Sequence, residues 1–123
     1  MKPILLLFLL LFTGEQDPLT DLTGKWKLIK IDVNGIMVTP QKHDHYLNIS
    51  KNSITYNRDV NQCRVDSFFV DTKNITLYNC ACTKIAEHDE IIKYLNYSGT
   101  YQLQDSLLTI FNSKEILYLK KIH

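Results

Sequence analysis

The chain has 123 residues, 45% of them hydrophobic and 22% charged, which is one domain's worth and enough to bury a single core. Fourteen basic residues stand against thirteen acidic ones, a formal net charge of +1. The mixed signs exclude the electrostatic footprint that a nucleic-acid backbone requires, so no nucleic acid is expected as a partner.

The N-terminal stretch "MKPILLLFLLLFTGEQD" has an early lysine, an apolar run from Ile4 to Phe12, and then small and polar residues. This is the pattern of a secretory signal peptide. The run is too short to span a bilayer, so no membrane span is expected. The pattern predicts a leader over 1–14, a short polar lead over 15–21 and a single β domain over 22–123. Its destination is extracytoplasmic, periplasmic or secreted.

Within the domain, "GKWKLIKIDV" is closed by Asn34-Gly35, a strong hairpin signal. Trp26 and Leu28 share one parity, while Ile29 and Ile31 fall on the other. A strand whose buried parity switches midway must bend or carry a bulge. "HYLNIS" and "ITYN" follow as a hairpin about "KNS". "QCRVDSFFV" and "ITLYNCAC" form another about "DTKN".

The period then changes. "AEHDEIIKYLN" places His88, Ile91, Ile92 and Leu95 on one helical stripe, with acidic residues in the first turn and Gly99 beyond the end. "TYQLQ", "SLLTIF" and "EILYLKK" close the chain as strands. The predicted class is mainly β: a strongly curved antiparallel sheet of eight to nine strands, a half-barrel or cracked barrel, packed on one α-helix.

The three cysteines carry the sharpest local signal. Centring the "DTKN" turn between Thr72 and Lys73 sets Cys63 opposite Cys82, which predicts a disulfide, with Cys80 as the alternative partner. An oxidising compartment makes a disulfide the default. A metal set of Cys63, Cys80, Cys82 and a histidine is the competing reading, but C-x-C is not zinc spacing, and no metal or other cofactor is expected. The C-x-x-C of a redox catalyst is absent. His43 and His45 read as part of an exposed loop after Pro40. No hydrolase, zincin or phosphate-loop motif occurs, and no catalytic residues are expected. Asn48, Asn74 and Asn96 each begin a glycosylation sequon.

The order "LTGKWKL", "NG", a central "NQC", "CTKIAEHDEIIKYL", "YQLQDSLLTI" and "LYLKK" resembles the META domain of the HslJ-like heat-shock protein family, from about Leu22 to Ile122. Where that family commonly has Gly-Cys-Asn, this chain has Gln62-Cys63-Arg64. The resemblance implies a curved sheet with one helix and a non-enzymatic, stress-related envelope or secreted module with a protein partner. A second resemblance, to lipocalins, rests on the G-x-W pattern of Gly24-Lys25-Trp26. It implies a carrier of a small apolar ligand, with Trp26, Tyr56, Phe69, Tyr101 and Leu103 as cavity lining. An ordinary packed core is the plainer reading of those five side chains.

Overall fold

The computed structural model describes residues 17–58, 61–83 and 90–123. The first element is a short helix, α1 (Pro18–Leu22), where the sequence suggests only a polar lead. Its start is written in Asp17-Pro18. The Asp17 carboxylate accepts the Leu19 amide at 3.0 Å, and proline at the first helical position gives up no amide that the helix needs.

Nine strands follow: β1 (Gly24–Val33), β2 (Ile36–Val38), β3 (Tyr46–Ile49), β4 (Ile54–Arg58), β5 (Asn61–Val70), β6 (Asn74–Cys82), β7 (Gly99–Gln104), β8 (Leu107–Phe111) and β9 (Glu115–Ile122). All pairings are antiparallel. From β3 onward each strand pairs with the next in sequence, and β9 returns to pair with β1 from Lys25↔Ile122 to Val33↔Glu115. The mainly β, antiparallel class is as expected, but the sheet is a closed eight-stranded barrel with β2 as an extra strand, and not the half-barrel or cracked barrel that the sequence suggests. Closure removes the exposed edges that an open sheet would leave on β1 and β9.

The predicted bend lies in β1. The β1–β9 register shifts between Leu28 and Lys30, so Ile29 is the extra residue and is turned outward. With the bulge, Trp26 and Leu28 on one side of it and Ile31 on the other all face the interior. Bending lets one edge of β1 serve two partners in turn: β3 pairs with its first half and β2 with its second. The β1–β2 turn has positive φ at both Asn34 (53°) and Gly35 (87°), the backbone of a two-residue hairpin loop. Asp32 Oδ1 accepts the Gly35 amide at 2.7 Å.

The late helix differs from expectation. Among the described residues it is a single 3-10 segment, Glu90–Tyr94, closed by Leu95 N donating to Ile92 O at 3.1 Å. His88 and the predicted first turn lie outside the described residues. Ile91 and Ile92, both on the predicted stripe, are buried, and Ile91 joins the core cluster. The only α-helix among the described residues is α1.

The interior is filled. Trp26, Leu28, Ile31, Leu47, Ile54, Ile75, Leu108, Ile110, Leu117 and Leu119 leave at most 1% of their surface accessible. Leu22 of α1 and Ile91 of the 3-10 segment complete the same cluster. Trp26 anchors the α1 end, its Nε1 donating to Leu22 O at 2.8 Å. Lys121, opposite Trp26 on β9, lays its ammonium 5.6 Å from the indole ring centroid. It can do so because residue 24 is glycine: a Cβ there would meet Lys121 Cε at 2.7 Å.

Trp26→Ala should remove both the packed indole and the bond that ties α1 to the barrel, costing roughly 3–5 kcal/mol in urea unfolding. Trp26→Phe should lose less, because part of the ring volume stays.

Candidate functional site

With the barrel interior filled, room for chemistry or binding lies at its ends, along one weak seam and in a shallow hollow of about 410 Å³ on the outer face, lined by Thr55, Gln62, Arg64, Ala81, Cys82 and Thr83. The first space is a hollow of about 570 Å³ bounded by Pro18 and Asp21 of α1, Thr72 of the β5–β6 turn, and Tyr101, Gln102, Leu103 and Gln104 of β7. Tyr101 and Leu103 occupy inward positions of β7, which alternate with exposed ones. They are only half-buried because the hollow opens over them.

The β5–β6 turn is locked onto this hollow. Asp71 Oδ1 accepts the amides of Lys73 at 2.8 Å and Asn74 at 2.6 Å, and Tyr101 donates its hydroxyl to Asp71 O at 2.6 Å. Those two backbone amides, Lys73 first, hold the Asp71 carboxyl below its ordinary range. Burial, followed by the nearby charges of Asp71 and Asp21, raises the Tyr101 hydroxyl. A phenol so bound is a positioning hydrogen-bond donor and a poor proton source.

The second space follows from sparse pairing. β6 and β7 share only the registers Asn74↔Thr100 and Ile75↔Gly99. The remainder of β6 diverges, and the segment from Leu95 to Ser98 lies against it, with Ser98 Oγ accepting the Leu77 amide at 2.9 Å. A pocket of about 100 Å³ remains there, lined by Tyr56, Leu77, Cys80, Leu95, Asn96, Tyr97 and Ser98. Tyr97 is 3% exposed, and among the described residues its hydroxyl has no hydrogen-bond partner. Burial, then the neighbouring Tyr56, drives that hydroxyl far above its usual range; the two rings stand 5.0 Å apart.

The cysteines sit beside this pocket. Cys63 stands opposite Cys82 in the β5–β6 register and the two sulfurs are bonded, while Cys80 is a free, exposed thiol. Thr83 extends the tie, donating its hydroxyl to Asn61 Oδ1 at 2.9 Å and accepting the Gln62 amide at 3.3 Å. Both sulfurs of the bond are spent, so a thiolate set of all three cysteines is not available to a metal. Among the described residues no group of three His, Cys, Asp or Glu side chains could hold one.

His45 is fully buried, contrary to the expected exposed loop, and its carbonyl accepts the Leu28 amide at 2.8 Å. The reason is alternation: the β1–β3 register, continued one pair beyond Lys27↔Tyr46, sets His45 opposite Leu28, and His45 shares the inward parity of Leu47 and Ile49. His43 is half-buried and Asp44 between them is exposed.

The five proposed lining side chains do not converge. Trp26 lies in the sealed core, Tyr56 at the small pocket, Tyr101 and Leu103 at the larger hollow, and Phe69 is 55% exposed on the outer surface. Phe69 was misplaced because the buried parity of β5 changes after Val65: Asn61, Cys63 and Val65 face in, as do Phe68 and Val70. Opposite this switch, Asn79 has φ of 51°. Tyr97 carried no signal in the sequence beyond being one aromatic among twelve tyrosines and phenylalanines. Comparison with known proteins gives no relative: no family model, no curated protein and no solved structure matches the chain.

Three outcomes follow from these contacts. Reduction of Cys63–Cys82, or Cys63→Ser with Cys82→Ser, should lower stability by about 3 kcal/mol for a loop of this length, read as a shift in the urea midpoint. Tyr97→Phe removes a hydroxyl buried without a partner and should raise stability by about 1 kcal/mol. In pH titrations of unfolding, the raised phenols of Tyr97 and Tyr101 stay protonated in the native state. Stability should therefore fall as pH rises above about 10, while the lowered Asp71 withdraws stabilisation as pH falls below the ordinary carboxylate range.

Proposed function

We propose that this chain is a non-enzymatic, extracytoplasmic barrel module that acts through its outer surface, engaging a partner without enclosing a ligand. The observation that carries this reading is the filled interior: the side chains that would line a central cavity are themselves the core. A buried apolar volume already occupied to the packing of an ordinary protein interior has no place for a guest. The disulfide supports the compartment, since such bonds persist where the environment is oxidising, and the leader pattern points the same way. The META-like order of motifs supports a stress-related envelope role.

One observation favours a second reading, a lipocalin-like carrier. The 570 Å³ hollow beside Tyr101 and Leu103 is within the range of small-molecule sites, and the β strands form a closed up-and-down barrel. In this reading the guest sits at the barrel mouth between α1 and β7, with the Tyr101 hydroxyl fixed by Asp71.

Native mass spectrometry of the exported protein, followed by denaturation and alkylation, separates the two. The module reading expects a chain lacking the leader, one alkylated thiol at Cys80 and no stoichiometric guest. A guest retained at one per chain, and lost in Leu103→Arg, would establish the carrier instead. Three alkylated thiols on a chain retaining Met1 would remove the extracytoplasmic assignment.

A further inference from the structure

Lysines scattered through the sequence are gathered by the barrel onto one wall. Outward positions of β1 carry Lys25 and Lys27 before the bulge and Lys30 after it. On β9, Lys120 stands opposite Lys27 and Tyr118 opposite Lys30. The neighbouring strands extend the row, with Tyr46 of β3 opposite Lys27 and Leu107 of β8 opposite Lys120. Across four adjacent strands the outer face therefore reads Tyr46, Lys27, Lys120, Leu107.

Like charges directly opposed on neighbouring strands are destabilising. Lys27 Nζ meets Asp44 Oδ2 at 3.7 Å, which offsets one of the two. Asp32, also on the wall, is turned into the β1–β2 loop, where it binds the Gly35 amide, and Asp105 of the β7–β8 turn lines a hollow with Leu107 and Lys120 at the wall's edge. Lys25 and Lys30 lie over the rings of Tyr46 and Tyr118, 4.4 and 5.0 Å from their centroids. Among these cations the bulge puts Ile29 on the surface, and Leu107 joins it, each 40% exposed. The opposite wall has no such bias: the outward positions of β4 and β5 include Thr55, Asn57, Gln62, Arg64 and Asp66, one charge of each sign.

We propose that the β3–β1–β9–β8 wall docks on the anionic phospholipid face of a membrane, an inference that rests on the surface-acting module reading above. Lipid phosphates meet the lysine ammonium groups, and the lysine stems run beside apolar neighbours as long cationic side chains do at interfaces. Ile29 and Leu107 enter the boundary beneath the headgroups, with the two tyrosine rings at headgroup level. A polyanionic chain matches the lysines equally well but leaves Ile29 and Leu107 uncovered. That difference selects the lipid surface.

The test is co-sedimentation of the full exported protein with phosphatidylcholine vesicles prepared with and without phosphatidylglycerol. Binding should require phosphatidylglycerol and weaken with salt. Lys27→Gln with Lys120→Gln should lower partitioning about 30-fold, from roughly fivefold per lysine. Ile29→Ser with Leu107→Ser should lower it several-fold at constant charge, while Arg64→Gln on the opposite wall leaves it unchanged. Circular dichroism confirms that each variant is folded. The proposal is overturned if the folded protein ignores anionic vesicles, binds them equally without phosphatidylglycerol, or binds them unchanged in the lysine variant. Retention on heparin or an oligonucleotide that tracks the lysines, with no effect of the Ile29 and Leu107 changes on vesicles, would reassign the wall to a polyanion. A stoichiometric guest in native mass spectra sinks the module reading on separate evidence, so the two failures are distinguishable.

Discussion

The fold depends on β1 doing three jobs. It pairs with β9 along one edge and with β3 and then β2 along the other, and its first half supplies Trp26 to the barrel end. A regular strand cannot keep one face inward through such a change of direction, because side chains alternate strictly. The extra residue at Ile29 resets the alternation, so Leu28 and Ile31 both reach the core. Closure against β9 and the exposure of Ile29 both follow from that insertion.

Once closed, the barrel is packed by its own side chains, and the remaining space is peripheral. An eight-stranded barrel is just wide enough for inward side chains to fill it. Here an indole and a set of leucines and isoleucines do so, with α1 at one end, Ile91 of the 3-10 segment in the same cluster and the segment from Leu95 to Ser98 along the seam. The seam is where the sheet is thinnest, two residue pairs between β6 and β7. The Cys63–Cys82 bond and the Thr83 hydrogen bonds secure the far end of β6, which β7 does not reach. The unpaired Tyr97 hydroxyl lies at this same junction, an energetic cost accepted where the covering segment meets the barrel.

A closed, filled barrel directs attention to its outside. The two walls differ in a way that no count of charges discloses, since the chain is nearly neutral overall. Charge concentrated on one face acts locally, because screening limits its reach to about 10 Å at moderate salt. The identity of that face depends on which strands are neighbours. Lys27 and Lys120, far apart in the chain, become a directly opposed pair only when β9 closes on β1.

Much of the fold was legible in the chain itself. Strand order, the Asn34-Gly35 hairpin, the bend in β1 and the register that faces Cys63 with Cys82 depend on local turn chemistry and a period of two, and both are written in consecutive residues. The Asp17-Pro18 helix start was equally local, and its cap is plain once the strand after it is fixed. Other features had no local signature. The inward or outward sense of Phe69 depends on a parity switch shared by two strands. The sequence by itself determined which segments are strands and where they turn, because backbone propensity and side-chain alternation act between near neighbours. Tertiary structure alone decided that the sheet closes, that its interior is full and that four lysines share a wall, because each depends on contacts between residues distant in the chain.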